Sequence, residues 1–219
     1  MICFLTPKFF TYMKEEEKAV MRRKMRKMLR ECANEERRKY SSELVQRLLS
    51  HKRIADADAV IAFWPLPDEI DITEAIDTWY MEGKNVFLPK VVSETEMIMC
   101  RYDGYSSLSS GSYGILEPMG ESVCIEELYP EICCDHKDAC RMSSVVMLVP
   151  GVAFDTSCHR LGRGKGYYDR YLFSRSLYTI GICYPFQVVH HVPYSQHDIA
   201  MSELVACPLD HAPYIQPPH

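Results

Sequence analysis

Between Lys14 and Lys39 the chain carries eleven Lys or Arg residues, yet Met21, Met25, Met28, Leu29 and Cys32 recur among them at the three- and four-residue spacing of one helical face. That spacing predicts an amphipathic helix. At about 100° per residue, Arg23, Arg26, Lys27 and Arg30 fall on its far side, whereas Lys18 and Arg22 fall within or beside the apolar stripe. A cation aimed at the body of a protein needs an anion, because an unpaired buried charge is costly. A ligand phosphate and a structural carboxylate both qualify, and the phosphate is the reading taken here.

Further along, a second helix is predicted over 35–50, a buried strand at "DAVIAFW", a helix at "TEAIDTWYMEG" closed by Gly83, and a strand at "KNVFLP". "EMIMCRY" adds a strand, and residues 103–140, rich in Gly, Ser, Pro, Cys and acids, have the composition of loop and insertion. "VVMLVPGVAFD", a glycine loop, a helix at "YYDRYLFSRS" and a strand at "YTIGICY" complete the pattern. Strand–helix alternation of this kind implies an α/β fold with a mostly parallel sheet and helices on both faces. One domain over 14–208 is expected, between an N-terminal extension (1–13) and a C-terminal tail (209–219). No internal repeat is evident. In open sheets of this type ligands bind beyond the carboxyl ends of the strands, which selects the loops "WPLPDEID", "VPGVAFD" and "CYPFQ".

The stretch "RLGRGKGYYDRYL" (160–172) sets Gly162, Gly164 and Gly166 among Arg160, Arg163 and Lys165. Alternating glycines let backbone N–H groups converge and a ligand approach closely, and a following helix would add partial positive charge. The economical ligand is a polyphosphate; the alternative is a solvated turn. A Walker loop would need Ser or Thr where Gly166 stands, and a dinucleotide fingerprint would need Gly where Tyr167 stands, so neither standard motif applies. Asp169 and Asp198 are candidates for magnesium, which usually accompanies a nucleoside triphosphate, and Asp169 equally suits a helix cap. Three acids within "PDEID" suggest that one of them, Glu69 foremost, meets an N–H-rich part of a second substrate. Phe63, Trp64 and Tyr168 offer a flat apolar wall or simple core.

A net charge of -5 argues against a general nucleic-acid binder, and no apolar run approaches the roughly 20 residues of a membrane helix. "MICFLTPKFFTYM" lacks the order of a secretory signal, because its cation follows the apolar stretch. A cytoplasmic protein is expected. Ten cysteines scattered through 219 residues are too sparse for a disulfide scaffold, so reduced thiols are the default. The cluster Cys124, Cys133, Cys134, His136 and Cys140 has soft-ligand chemistry but no C-x-x-C pair, and most of these thiols are expected to be small apolar or loop residues rather than zinc ligands.

Taken together, "VPGVAFD" followed by "RLGRGKGYYDRYL" resembles the 5-formyltetrahydrofolate cyclo-ligase family, also called 5,10-methenyltetrahydrofolate synthetases, over about Lys18 to Val205. Lys18 and Arg22 spaced K-x-x-x-R, "DEI" at 68–70, "GKNVFLPKV", Met97, "GILEP", Gln187, Pro193 and Asp198 support the resemblance. It implies a fold similar to the sugar-phosphate isomerase and CoA-transferase group. It also implies ATP-dependent closure of 5-formyltetrahydrofolate to 5,10-methenyltetrahydrofolate with release of ADP and phosphate. Lys18, Arg22 and the run Arg160, Leu161, Gly162, Arg163, Gly164, Lys165, Gly166, Tyr167 and Tyr168 would bind ATP, with Arg163 and Lys165 stabilising the transferred phosphoryl group. Trp64, Glu69, Met97 and the segment from Arg163 to Tyr167 would contact the folate, with or without a polyglutamate tail. Asp169 and Asp198 would hold Mg2+. A monomer is expected, with no nucleic-acid or membrane partner. Two rivals are a regulator that has lost turnover and a nucleic-acid module built on the basic helix. The chain departs from the family pattern where Cys158 and His159 occupy a turn that usually holds glycine, over 122–142, and at "ACP" near the end. If that turn needs a positive φ, Cys158 is strained in it.

Overall fold

The computed structural model describes residues 7–111, 116–133 and 143–207, with side chains from Met13 onward. In chain order the first part holds α1 (Pro7–Glu31), α2 (Asn34–Leu49), α3 (Lys52–Ala55), β1 (Ala59–Ile61), α4 (Thr73–Met81), β2 (Asn85–Val91) and β3 (Met97–Arg101). Next come β4 (Leu108–Ser110), β5 (Leu116–Pro118), β6 (Ser122–Val123) and α5 (Ile125–Leu128). The last part holds β7 (Val145–Pro150), β8 (Ala153–Asp155), β9 (Arg160–Leu161), α6 (Tyr167–Leu172), β10 (Tyr178–Cys183), β11 (Val188–Val189) and β12 (Glu203–Ala206).

The main sheet runs β12-β10-β7-β1-β2-β3-β6. Its first five strands are parallel, and β3 lies antiparallel to both β2 and β6. Continuous apolar runs suit strands that are covered on both sides. In β7, Val146 and Leu148 join Val60 in one core layer, while Val145, Met147 and Val149 join Ala59 and Ile61 in the other. The first layer is closed by Leu44, Val45 and Leu48 of α2 and by Ala75, Ile76 and Trp79 of α4. Tyr171 and Leu172 of α6, with Ile125 of α5, help close the second. Helices therefore cover both faces, as the alternation implied.

This winding positions the site. Helix α4 links β1 to β2 across one face, and α6 lies between β7 and β10 on the other. Since β1 and β7 are neighbours, the chain leaves them in opposite directions and opens a crevice at their carboxyl ends. A second, three-stranded sheet, β11-β8-β9, stands beside that crevice. The apolar stripe of α1 packs there: Met25 is buried with Val152, Ala153, Leu161 and Val192, flanked by Met21 and Met28.

Several sequence expectations need amendment. Helix α1 begins at Pro7, so residues 7–13 are its first turns rather than a separate extension. Helix α6 spans only six residues, because "FSRS" moves into turns that Ser side chains favour over helix, so it contributes little dipole to the glycine loop. The stretch 103–140 is not simply loop: β4 and β5 pair, β6 extends the main sheet, and α5 covers it. Strand β12 was not foreseen, because its four residues begin with a glutamate. Glu203 is buried and accepts hydrogen bonds from Tyr178 Oη at 2.9 Å, with His51 Nε2 3.1 Å away. Gly83 closes α4 as expected, at φ +82°, with its own N–H bonding Tyr80 O and that of Lys84 bonding Trp79 O. Cys134, His136 and Cys140, part of "GILEP" and the C-terminal tail lie outside the described residues. Among the described residues no helix is long and apolar enough to cross a membrane.

Candidate active site

A cleft of about 530 Å³ opens across the carboxyl ends of β1, β2 and β7. Glu15, Lys18 and Arg22 of α1, Leu66 and Glu69 after β1, Val91 of β2, Pro150 at the end of β7 with Gly151, the whole run from Arg160 to Asp169, and Asp198 line it. Every residue expected to bind ATP therefore lines one cavity. The glycine loop turns as its composition required. Gly164 sits at φ +107° and Gly166 at φ +68°, conformations that L side chains rarely adopt. A Cβ on Gly164 would lie 3.6 Å from the Arg22 guanidinium, so the loop and α1 are in close contact.

The cleft cations differ in what already holds them. Lys18, 5% exposed, lies 2.6 Å from Asp198 Oδ2, so the carboxylate weighed against a ligand phosphate is present, and it is one of the two acids expected to hold magnesium. Burial works against the Asp198 charge, but Lys18 and the Ser195 N–H and hydroxyl outweigh it and hold the carboxyl below its usual range. Buried Arg160 donates to Asp169 Oδ2 at 2.8 Å and lies over the Tyr168 ring. Arg163 grips the loop after β1: its Nη1 and Nη2 reach Asp68 at 3.1 and 2.5 Å, and its Nε reaches Glu69 at 3.2 Å. Desolvation alone would lower the Arg163 pKa, and the two acids more than reverse it. Arg22 donates from Nε to Gly162 O at 3.0 Å, and Lys165 is exposed. Among the described residues neither Arg22 nor Lys165 pairs with a carboxylate, which leaves both charges available to an anion.

Glu69 stands where three lines of contact meet. It accepts from Leu66 N and Arg163, and its backbone carbonyl accepts from Tyr184 Oη at 3.0 Å. Burial raises its pKa above the ordinary carboxylate range despite those donors. Two expected folate contacts lie elsewhere. Trp64 packs near Tyr102 and Tyr105, with ring centroids 6.1 and 6.0 Å apart, and Met97 is buried in the second core layer; neither lines the cleft. Among the described residues no three His, Cys, Asp or Glu side chains gather as a metal site, and Cys124 and Cys133 are exposed.

Of the residues that shape the loop's entry, sequence reasoning singled out Cys158 and Gln187 and missed Asp155. Asp155, buried at the end of β8, accepts from the N–H groups of Ser157, His159 and Val192 at 2.9–3.0 Å. Its one legible signal was an aspartate placed just before a turn. Cys158 follows at φ 62°, the one positive-φ non-glycine among the described residues, fully buried, its thiol pushed up to about 11 by burial first and by Asp155 next. Gln187 anchors the strand end by donating to Gly151 O and Val152 O, both at 3.0 Å.

Fold and site together define a doubly wound α/β protein with a cationic, glycine-lined cleft at its topological switch point. A family model described as the 5-formyltetrahydrofolate cyclo-ligase family matches residues 14–207, and the chain belongs to that family. A mouse 5-formyltetrahydrofolate cyclo-ligase is 28% identical over 196 residues, covering 84% of this chain and 91% of that protein. A Schizosaccharomyces pombe protein named "Probable 5-formyltetrahydrofolate cyclo-ligase" is 34% identical over 144 residues, 59% of this chain and 65% of that one. Among solved structures, Aquifex aeolicus 5,10-methenyltetrahydrofolate synthetase superposes with a TM-score of 0.70 at 32% identity, covering 86% of this chain and 89% of its own.

Proposed function

We propose that this protein closes 5-formyltetrahydrofolate to 5,10-methenyltetrahydrofolate at the expense of ATP, as a cytoplasmic monomer. The observation that carries this reading is the convergence of Arg22, Lys165 and the two positive-φ glycines on one cleft, which is what a polyphosphate needs. A formamide oxygen is a poor leaving group, so ring closure requires it to be activated first. The formyl oxygen attacks the γ-phosphorus, the bond to the β,γ-bridging oxygen breaks and ADP leaves. N10 then adds to the activated carbon, its proton departs, and the carbon–oxygen bond breaks to release phosphate.

For the phosphoryl step, positioning and charge neutralisation are the main demands. Arg22 and Lys165 hold the phosphates, Lys18 adds positive charge from its pair with Asp198, and Arg163 turns donors toward the transferred group from its anchorage on Asp68 and Glu69. Glu69 accepts from ring N–H groups of the pterin. No side-chain nucleophile is needed. Two carboxylates beside a phosphate site suit Mg2+, which commonly takes one or two carboxylates and completes its shell with phosphate oxygens and water. Asp169 and Asp198 would hold it while each stays paired with its cation, Arg160 and Lys18, and it would supply further neutralisation of phosphate charge.

The test is the near-ultraviolet absorbance of methenyltetrahydrofolate formed from 5-formyltetrahydrofolate, Mg2+ and ATP, with each omitted in turn. Product should depend on ATP and fall by about 100-fold or more in Lys165→Ala. A folded protein that binds ATP and yields no product would move the assignment to a regulator.

A further inference from the structure

The charged residues lining the cleft do not include Arg170, which lies one turn into α6 with its side chain outside the cavity. Its contacts are nevertheless concentrated on the loop. Nη2 donates to the Lys165 carbonyl at 2.8 Å, and Nε donates to the Thr95 carbonyl at 2.7 Å, in the turn between β2 and β3. The guanidinium also lies over the Tyr167 ring, 5.4 Å from its centroid, and Tyr167 Oη donates to Ser93 O in the same turn at 2.9 Å. A Cβ on Gly166 would come within 2.9 Å of Nη1, so the glycine at this position makes room for the arginine as well as adopting a positive φ.

We propose that Arg170 is a positioning residue that locks the Lys165–Gly166 peptide in the orientation competent to bind polyphosphate. In a trans peptide the carbonyl and the following N–H point in opposite directions. Tying the Lys165 carbonyl to Arg170, outside the cavity, therefore turns the Gly166 N–H the other way. A flip of this peptide turns the φ of Gly166, which sits at +68°, and glycine populates both signs of φ about equally, so the flip is easy. Something must choose one orientation. Arg170 does so while braced on Thr95, and its rigid planar fork fixes the angle between its two carbonyl contacts, which a lysine ammonium on a flexible stem does not. The hairpin turn between β2 and β3 thereby becomes the outer wall against which the loop is set. If the loop samples both orientations without this clamp, ATP affinity falls in proportion to the lost competent fraction, and turnover of the bound complex is spared.

The inference rests on the proposed use of ATP, and its test separates the two. ATP binding to the full chain is measured by titration calorimetry for wild type, Arg170→Ala and Arg170→Lys, alongside the absorbance assay and melting temperatures. Arg170→Ala should weaken ATP binding about tenfold, corresponding to a competent fraction near one in ten. Its kcat at saturating ATP should stay within about threefold of wild type and its KM for folate unchanged, with Arg170→Lys intermediate in ATP affinity. Unchanged ATP affinity in Arg170→Ala, a loss confined to kcat, or a loss that merely follows a large drop in melting temperature overturns the positioning role. Wild-type protein that binds ATP without forming product sinks the proposed reaction, while the calorimetric comparison still decides the inference.

Discussion

Cys158 shows how one residue can carry opposing energetic terms. Its left-handed backbone costs on the order of 1–2 kcal/mol for a residue with a Cβ, while its thiol fills space in the second core layer. Cys158→Ala keeps the strain and loses the sulfur; Cys158→Gly loses both. The usual order should therefore invert, with Gly costing less than about 1 kcal/mol and Ala about 1–2 kcal/mol in urea denaturation. That a cysteine at a glycine turn would be strained was legible from the sequence. Its burial against Met201, whose N–H donates to the Cys158 carbonyl at 2.9 Å, was not, because the contact joins residues far apart in the chain.

Among elements, α1 has two jobs that its sequence encoded on one helical face. Met25 anchors it to the small sheet, and Arg22 and Lys18, one and two turns earlier, enter the cleft. Loosening the anchor should move both cations. Met25→Ala is expected to lower stability by about 3 kcal/mol and to weaken ATP binding several-fold. Leu48→Ala, equally buried but under α2, should cost similar stability and leave ATP affinity alone; equal losses of affinity in the two would show that α1 has no special part. The periodicity revealed this face because one helix repeats its pattern over many turns. Strand β12 and the β4–β5 pair escaped notice because runs of three or four residues give periodicity too little to work with.

At the scale of the whole molecule, the two halves of the sheet meet where Arg163 of the glycine loop grips Asp68 and Glu69 of the loop after β1. This bridge should respond to pH through Glu69. Its pKa is raised, chiefly by burial, so protonation as pH falls sets in earlier than for an exposed acid, and the bridge loses one of its charges. The stability term has the opposite sign: the ionised, desolvated form is the costly one, so that cost is relieved as pH falls through the raised folded pKa. The expected kcat/KM profile has an acid limb centred above the usual carboxylate range, which Glu69→Gln flattens while lowering the plateau about tenfold. A limb that persists in Glu69→Gln would belong to another group. What the sequence by itself determined was local or repeated. It specified the α/β alternation, the two-sided burial of β7, the inward cations of α1, and a glycine loop whose spacing matched one family. Only the tertiary structure decided which charges are spoken for. Lys18 pairs with Asp198, Arg160 with Asp169 and Arg163 with Asp68 and Glu69, whereas Arg22 and Lys165 face the cleft without a carboxylate among the described residues. The physical reason is range: a side chain's helical face follows from its neighbours in sequence, but its counter-ion comes from whichever distant segment the sheet order brings within about 4 Å.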